Sequence, residues 1–137
     1  PGHARFAGER VEPQLLGRMV DALGDNGWLG DIDAVLTGYL PSVEHVEVAR
    51  YTVERVKAIN PAAIYVCDPV IGDEPKGIYV AEDAAASMRD VLLPRADVVK
   101  MNRFECAWLA GIAIAGTDDV IKALRTKAGT RPRSRPP

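Results

Sequence analysis

The sequence has 137 residues, of which 47% are hydrophobic and 26% are charged, and its formal net charge is −2. This is an ordinary composition for one globular domain, and the small acidic excess argues against nucleic acid or an anionic membrane surface as a partner. No apolar run approaches the ~20 residues of a membrane span, and the opening PGHARFAGER lacks the apolar stretch of a secretory signal.

The chain has two cysteines, Cys67 and Cys106, and their spacing fits no metal-binding motif. We expect both thiols to be reduced and to lie in or near the core. Reduced cysteines favour a cytoplasmic location.

The first half of the chain predicts two helices and two strands. Apolar residues recur at helical spacing after Pro13, which suits a first helical turn, until Gly24 ends the pattern. Ser42 is a good N-cap for a second helix that ends before an Asn-Pro pair. The runs at residues 34–37 and 63–67 are short and apolar, as buried strands are.

The second half alternates in the same way after an Asp-Pro pair has opened a loop rich in Pro and Gly. In chain order we predict a loop over residues 68–80, a helix capped by Glu82 or Asp83 and ended by Pro94, a strand over residues 96–100, a helix from the cap Asn102 to Ala110, and a weaker helix over residues 118–127.

Short apolar strands that alternate with helices predict an α/β fold, in which a parallel sheet is covered by helices on both faces to give three layers. In such a sheet, ligands bind beyond the carboxyl ends of the strands. The three strands lead into Tyr39, Asp68 and Asn102, and Glu105 follows in the first turn of the helix after Asn102. We therefore expect these residues along one edge of the sheet, which we call the rim.

Acidic side chains are the main chemical feature of the rim. Asp68, Asp73 and Glu105 repel each other unless a cation or raised pKa values relieve the charge. Carboxylate oxygens are ligands that Mg²⁺ prefers, and Mg²⁺ in turn bridges phosphates. Because the amino termini of helices also bind anions, the pattern suggests a site for nucleotide phosphates.

Each candidate site residue also has an ordinary structural explanation, and the residue pattern alone does not decide between the functional and the structural explanation. The alternatives are Asp68 as a turn residue, Asp73 as a solvated loop acid, Glu105 as part of a capping box, Tyr39 as an exposed aromatic, and His3, His45, Lys76 and Arg103 as surface residues.

Three phrases carry a family resemblance: DAVLTGYL at residues 33–40, VKAINPAAIYVCDPVIGDEPKGIYV at residues 56–80, and LLPRADVVKMNRFECAWLAG at residues 92–111. In this order and at this spacing they resemble pyridoxal kinase, a family of the ribokinase-like superfamily. The opening PGHARFAG is similar to the segment after the Ser-Asn-His of that family's substrate flap. The likeness covers about residues 1–111.

The resemblance implies a reaction. The family transfers the γ-phosphoryl group of ATP to the 5′-hydroxyl of pyridoxal, pyridoxine or pyridoxamine, with Mg²⁺ and in places a monovalent cation. Asp68 then lies beside the nucleotide phosphates, and Asp73 and Glu105 hold metal directly or through water, with Asp68 as a further metal ligand.

The resemblance also implies a set of substrate-binding residues and an oligomeric state. Tyr39 and Phe6 border the pyridine ring, and Pro1 belongs to the flap that contacts the substrate. The loop over residues 73–80 becomes a mobile cover that excludes water during transfer. The family is expected to be homodimeric.

Two departures from the family pattern are visible. The chain has Lys100-Met101 where the family usually has Thr or Ala followed by Pro, so a lysine stands at the phosphate edge. Lys100 either helps to neutralise ATP or displaces the monovalent cation. The second departure is that Gly-Thr-Gly-Asp, the family's catalytic motif, does not occur, and the AGTD at residues 115–118 follows the preceding helix too soon to replace it.

We therefore expect residues 1–129 to form part of a kinase domain, incomplete at both ends and without a catalytic residue, and residues 130–137 to be a disordered or non-native Arg/Pro tail. Such a chain is expected to be inactive alone. Two alternatives stay open, a hydroxymethylpyrimidine kinase of the same superfamily and a non-catalytic remnant that binds a nucleotide or a partner.

Overall fold

The computed structural model describes residues 7–128. Within these residues no helix is long and apolar enough to cross a membrane. The helices are α1 (Pro13–Asp25), α2 (Val43–Ile59), α3 (Glu82–Ser87), α4 (Arg103–Ala110) and α5 (Thr117–Ala128), and the strands are β1 (Ala34–Thr37), β2 (Ile64–Cys67), β3 (Gly72–Asp73), β4 (Gly77–Ile78) and β5 (Val98–Val99). Pro1 and Phe6 lie outside the described residues, as does the predicted tail at residues 130–137.

Three of the strands form a parallel sheet in the order β1-β2-β5. The register pairs Thr37 with Cys67 and Cys67 with Val99, so the three strands end at the same level. Each connection between parallel strands contains a helix, because such strands need a long crossover. The predicted α/β fold is therefore confirmed.

One face of the sheet carries the main core. Tyr65 and Cys67 of β2 are fully buried there, against Val46 and Val53 of α2 and Met88 from the turn after α3. The Tyr65 hydroxyl lies 2.8 Å from the Thr37 hydroxyl, so the phenol is satisfied inside the core. A buried polar group without such a partner would cost roughly 1–3 kcal/mol.

The opposite face of the sheet is bare over the described residues. Leu36 is 69% exposed, Val98 49% and Ile64 48%, and strand alternation puts all three side chains on the face away from Tyr65. The helices that pack on the sheet share one cluster with Tyr65 and Cys67, so the helical covering that we predicted for both faces is present on one.

A second exposed apolar strip runs along α1. Leu15, Met19 and Leu23 recur every four residues and are all exposed. Asp21 of this helix accepts hydrogen bonds from two residues of α2, from Tyr51 at 2.5 Å and from Arg55 at 2.7 Å. The strip is therefore exposed apolar surface among the described residues.

Several predicted boundaries were wrong. The third helix begins after the N-cap Ala81, so neither Glu82 nor Asp83 is its cap, and it passes at Ser87 into a π-helical turn and then a 3-10 turn that contains Pro94. Proline lacks the amide hydrogen that a continuing α-helix needs. The third strand is two residues long, and the predicted loop contains the β3–β4 hairpin.

His45 was also placed wrongly as a surface residue. Its ring is buried, with Nδ1 2.9 Å from the Ser42 hydroxyl and Nε2 hydrogen-bonded to the Val11 carbonyl at 3.0 Å. Ser42 does occupy the N-cap of α2, but its hydroxyl donates to Glu44 instead of capping the helix. The segment before α1 is thereby tied to the start of α2.

The bare sheet face predicts that the purified chain self-associates. Exposed apolar surface of this kind favours association, and charge on it opposes association. We expect Leu36→Lys and Val98→Lys to raise the monomer fraction in sedimentation velocity at micromolar concentration. Ala62→Lys, at an exposed site before β2, is the control and should leave that fraction unchanged. A wild-type chain that sediments as a monomer at all concentrations would contradict the prediction.

Candidate functional site

The rim lies where the parallel strands end. Beyond the last ladder pairs, the Asp68 amide donates to the Thr37 carbonyl at 2.9 Å and the Lys100 amide donates to the Cys67 carbonyl at 3.0 Å. These two hydrogen bonds extend the sheet by one residue on β2 and one on β5. Asp68 and Lys100 are therefore brought side by side by backbone pairing, before their charges interact.

Asp68 and Lys100 form an ion pair at the rim. The Lys100 ammonium donates to Asp68 Oδ2 at 2.8 Å, with the lysine side chain 74% exposed and the aspartate 21% exposed. The hydrogen bond and the negative charge of Asp68 raise the pKa of Lys100, and Glu105 adds a smaller effect in the same direction. A pair this exposed contributes little to stability, because water and salt screen the attraction.

Glu105 is the most buried acid of the rim, with 3% of its surface exposed. Its Oε2 accepts from the Asn102 amide at 2.9 Å, and its own amide donates to Asn102 Oδ1 at 2.8 Å, which completes a capping box at the start of α4. Its Oε1 accepts from the Ile71 amide at 3.2 Å. Glu105 thus connects α4 to the chain that follows β2.

Asn102 makes the second connection to that chain. Its amide group donates to the Gly72 carbonyl at 2.9 Å while its oxygen caps α4. Gly72 lies so close to α4 that an added Cβ would meet the Phe104 ring at 2.3 Å and the Gly77 carbonyl oxygen at 2.7 Å. Only glycine fits at this position without displacement of the ring or the hairpin.

The loop predicted as a cover is a short hairpin at the end of the rim. β3 and β4 pair Gly72 with Ile78 and Asp73 with Gly77, and Gly77 has the positive φ of 76° that favours glycine. At the tip, Glu74 accepts from Arg103 of α4 at 2.5 Å. Arg103, which we expected to be a surface residue, is exposed and pairs with the tip of the hairpin.

Tyr79 is a rim residue that the sequence analysis missed. Partial burial raises its pKa, and the negative charges of Glu105, Asp73 and Asp68 raise it further. The Tyr79 amide donates to the Ile71 carbonyl at 3.0 Å. An aromatic residue on the returning strand of the hairpin was the available signal, but the hairpin itself was not predicted.

The three acids share the rim but do not converge on one point. Asp73 is exposed, and its Oδ1 accepts from the Glu74 amide at 2.8 Å. Over the part of the chain that the structure describes, no three Asp, Glu, His or Cys side chains are grouped to hold a metal ion. Mg²⁺ commonly takes only one or two carboxylates and completes its shell with water and phosphate, so this donor set is chemically compatible with it.

An open cleft of about 590 Å³ adjoins the rim on its other side. It lies between the end of β5 and the loop before α5, and Lys100 belongs to both the rim and the cleft. Its apolar wall consists of Val99, Met101, Cys106, Ile114 and Val120. Tyr39 follows β1 at the far end of the rim and is half-exposed.

The chain belongs to the phosphomethylpyrimidine kinase family, whose model matches residues 8–131. Among curated relatives, pyridoxal kinase PdxY of Rubrobacter xylanophilus is 34% identical over 131 residues, which are 96% of this chain and 45% of the relative. Pyridoxal kinase PdxY of Vibrio campbellii is 40% identical over 128 residues, or 93% and 44%. The chain thus spans about 45% of the length of the curated relatives that it matches.

Solved structures agree with this assignment. Pyridoxal kinase from Leishmania donovani, in complex with ADP and pyridoxamine, aligns with a TM-score of 0.85 at 27% identity over 93% of this chain and 44% of its own. The enzyme from Entamoeba histolytica gives 0.85 at 29% identity over 96% and 47%. Phosphomethylpyrimidine kinase from Clostridium difficile, at 21% identity and 0.75, shares the fold. The resemblance to pyridoxal kinases and the ribokinase-like fold are confirmed.

The capping box predicts a large stability effect at Glu105. Glu105→Ala leaves the buried Ile71 amide and the Asn102 amide without acceptors, and we expect a loss of about 2–4 kcal/mol in the free energy of unfolding. Glu105→Gln keeps one acceptor oxygen and should lose less. Urea unfolding measures both, with Glu74→Ala, an exposed ion-pair change, as the control at under about 1 kcal/mol. Equal losses for Glu105→Ala and Glu74→Ala would contradict this role.

The buried thiol beside the rim predicts a fall in stability in alkali. Burial raises the pKa of the Cys67 thiol above its usual value of 9.0. As the pH rises past 9, the unfolded chain therefore releases this proton before the folded chain does, and the folded state loses up to about 1.4 kcal/mol per pH unit.

Urea unfolding at pH 7.5, 9 and 10 tests this dependence. Stability should be unaffected by Cys67 below about pH 9, and Cys67→Ala should reduce the fall above it. Part of the fall should persist in the variant, because burial also raises the pKa values of Tyr65 and Cys106. The same pH dependence in both chains would show that Cys67 titrates alike in the folded and unfolded states.

Proposed function

We propose that this chain carries the phosphate-binding rim of an ATP-dependent kinase that phosphorylates the 5′-hydroxyl of pyridoxal, pyridoxine or pyridoxamine, in the salvage of pyridoxal 5′-phosphate. The observation that supports this most is the side-by-side position of Asp68 and Lys100 at the ends of neighbouring parallel strands, with Glu105 fixed beside them. The relatives named above, one of them solved with ADP and pyridoxamine, support the choice of substrate.

The proposed roles follow the chemistry of each side chain. Asp68, Asp73 and Glu105 supply oxygens for Mg²⁺, directly or through water, and Lys100 supplies positive charge for the phosphates. Glu105 already accepts one hydrogen bond on each oxygen, which leaves it lone pairs for a water-mediated contact. Bound Mg²⁺ neutralises phosphate charge, and phosphoryl transfer depends mostly on such neutralisation and on positioning.

The substrate side of the proposal rests on the aromatic residues. Tyr39 and Phe6 border the pyridine ring, and Pro1 belongs to the flap over it. Tyr79 extends this group, because it directly follows β4 at the base of the hairpin and its side chain is half-exposed. The hairpin limits the access of water to the transferred group.

Phosphorylation of hydroxymethylpyrimidine is the second candidate. It is favoured by the description of the matching family model and by the fold shared with the Clostridium difficile enzyme. Against it stands the greater number of pyridoxal kinases among the relatives named here. A substrate panel on a complete kinase that contains this rim separates the two, because only one ring should be phosphorylated efficiently.

The oligomeric state and the cellular location of the protein are also part of the proposal. The exposed strip of Leu15, Met19 and Leu23 on α1 supports a homodimer, since such strips are commonly covered by a second subunit. A cytoplasmic location, ATP as donor and a monovalent cation as a further cofactor stay predictions.

Nucleotide binding tests the rim. We expect Asp68→Asn to weaken MgADP binding about tenfold, the loss that corresponds to a charge-assisted interaction of about 1.4 kcal/mol. With EDTA the same variant should bind ADP more tightly than the wild type, because one negative charge beside the phosphates is gone. Isothermal titration calorimetry measures both. Asp118→Asn, at the exposed start of α5, is the control, and a change of the same sign in both buffers would contradict a metal-linked role.

An assay of pyridoxal phosphorylation tests whether this chain lacks the catalytic residue. The 137 residues contain no Gly-Thr-Gly-Asp, so we expect no measurable phosphorylation of pyridoxal with MgATP by this chain. Formation of pyridoxal 5′-phosphate can be followed by its absorbance. Turnover at ordinary kinase rates, 1–100 per second, would mean that another residue of this chain serves as the base.

A further inference from the structure

Lys100 brings a fixed positive charge into an acidic rim. Its ammonium group lies 2.8 Å from Asp68 Oδ2, and backbone pairing through the Cys67 carbonyl holds the residue at the end of β5. The ammonium also interacts with the charge of Glu105. Arg103, the neighbouring cation, is instead paired with Glu74 at the tip of the hairpin.

The ion pair has two properties that matter for a ligand. It lies at the surface, with three-quarters of the lysine side chain exposed, so breaking it costs little. It also occupies an oxygen of Asp68, the acid that directly continues β2. An inorganic cation that binds Asp68 must therefore share the carboxylate with an ammonium group or displace it.

We propose that Lys100 is a tethered counter-cation of the rim, which competes with inorganic cations for Asp68 and passes to a phosphate oxygen when a nucleotide binds. The second half of this statement rests on the proposed function, whereas the first half concerns the chain without a nucleotide. The consequence is a rim that binds nucleotide phosphates with a reduced requirement for added metal.

The expected size of the effect comes from simple electrostatics. A unit charge and a divalent ion that share one carboxylate repel each other, and at a separation near 4 Å in water this changes binding by at most about thirtyfold. Movement of the exposed lysine and screening by counter-ions reduce the expected change to about fivefold at low salt. The effect should shrink as salt is added, because both charges are exposed. Arginine should act as lysine does, since it keeps the charge, whereas methionine keeps only the length.

Binding of Mn²⁺ without nucleotide tests the competition. Free Mn²⁺ is measured by its electron paramagnetic resonance signal at low salt, on the full 137-residue chain and on Lys100→Met, Lys100→Arg and Lys76→Met. We expect Lys100→Met to bind Mn²⁺ about fivefold more tightly, and Lys100→Arg to resemble the wild type. Lys76→Met, a matched change in the exposed turn of the hairpin, should also resemble it. Circular dichroism confirms that each variant is folded.

Two results would overturn the inference in this experiment. The first is an Mn²⁺ affinity of Lys100→Met that equals that of Lys76→Met, which would reduce the effect to general surface charge. The second is the absence of Mn²⁺ binding by every variant, since there is then nothing for Lys100 to compete with.

Binding of ADP completes the test. In EDTA the wild type and Lys100→Arg should bind ADP, and Lys100→Met should bind it at least fivefold more weakly. With saturating Mg²⁺ the three should differ less. Failure of all chains to bind ADP at saturating Mg²⁺ contradicts the proposed function, and the Mn²⁺ result then decides the role of Lys100. Equal metal-free binding of ADP by Lys100→Met and the wild type overturns the phosphate half of the inference.

Discussion

The geometry of the rim depends on one buried carboxylate. Glu105 accepts from the Asn102 amide at the start of α4 and from the Ile71 amide in the chain after β2. One side chain therefore fixes both the helix that follows β5 and the segment that leads from Asp68 to the hairpin. Asn102 reinforces this through the Gly72 carbonyl. Without these contacts the acids that follow each strand would be presented on independent loops.

This arrangement gives the acids of the rim different characters. Glu105 is buried and accepts hydrogen bonds from backbone amides. Asp68 is partly buried and paired with Lys100, and Asp73 is exposed on the hairpin. Along the rim the acids therefore pass from a buried carboxylate hydrogen-bonded on both oxygens to an ion-paired one and then to an exposed one that accepts from the neighbouring Glu74 amide. The three side chains differ in exposure and in partners, so a substitution at each one should have a different effect on stability.

Much of the fold and part of the rim could be predicted from the sequence. β1 and α2 were found at their bounds because apolar periodicity and the Asn-Pro pair after α2 act locally. Ser42 occupies the predicted N-cap position, although its hydroxyl does not cap the helix. The shared edge of Asp68 and Glu105 followed from the rule for parallel strands. The Asp68–Lys100 pair was not predicted, because it depends on the order of β2 and β5 in the sheet, which no local pattern encodes.

Other features could not be predicted from the sequence because they arise from packing between distant residues. The burial of His45 depends on Val11, 34 residues away, and the hairpin depends on the fit of Gly72 against Phe104. Tyr79 joins the rim only because that hairpin forms. The metal-binding role of Asp73 came first from its chemistry, whereas the substrate-binding roles of Tyr39, Phe6 and Pro1 came from the family resemblance. Phe6 and Pro1 lie outside the described residues.

The bare sheet face has a consequence for how the protein's behaviour in solution is interpreted. Fluorescent dyes such as ANS bind exposed apolar surface, and their binding is commonly taken as a sign of a molten globule. Here a well-packed core, with Tyr65 and Met88 fully enclosed, coexists with Leu36, Ile64 and Val98 in contact with water. A strong dye signal from this chain would therefore report the bare sheet face of a folded chain, and near-ultraviolet circular dichroism would be the better measure of whether its core is intact.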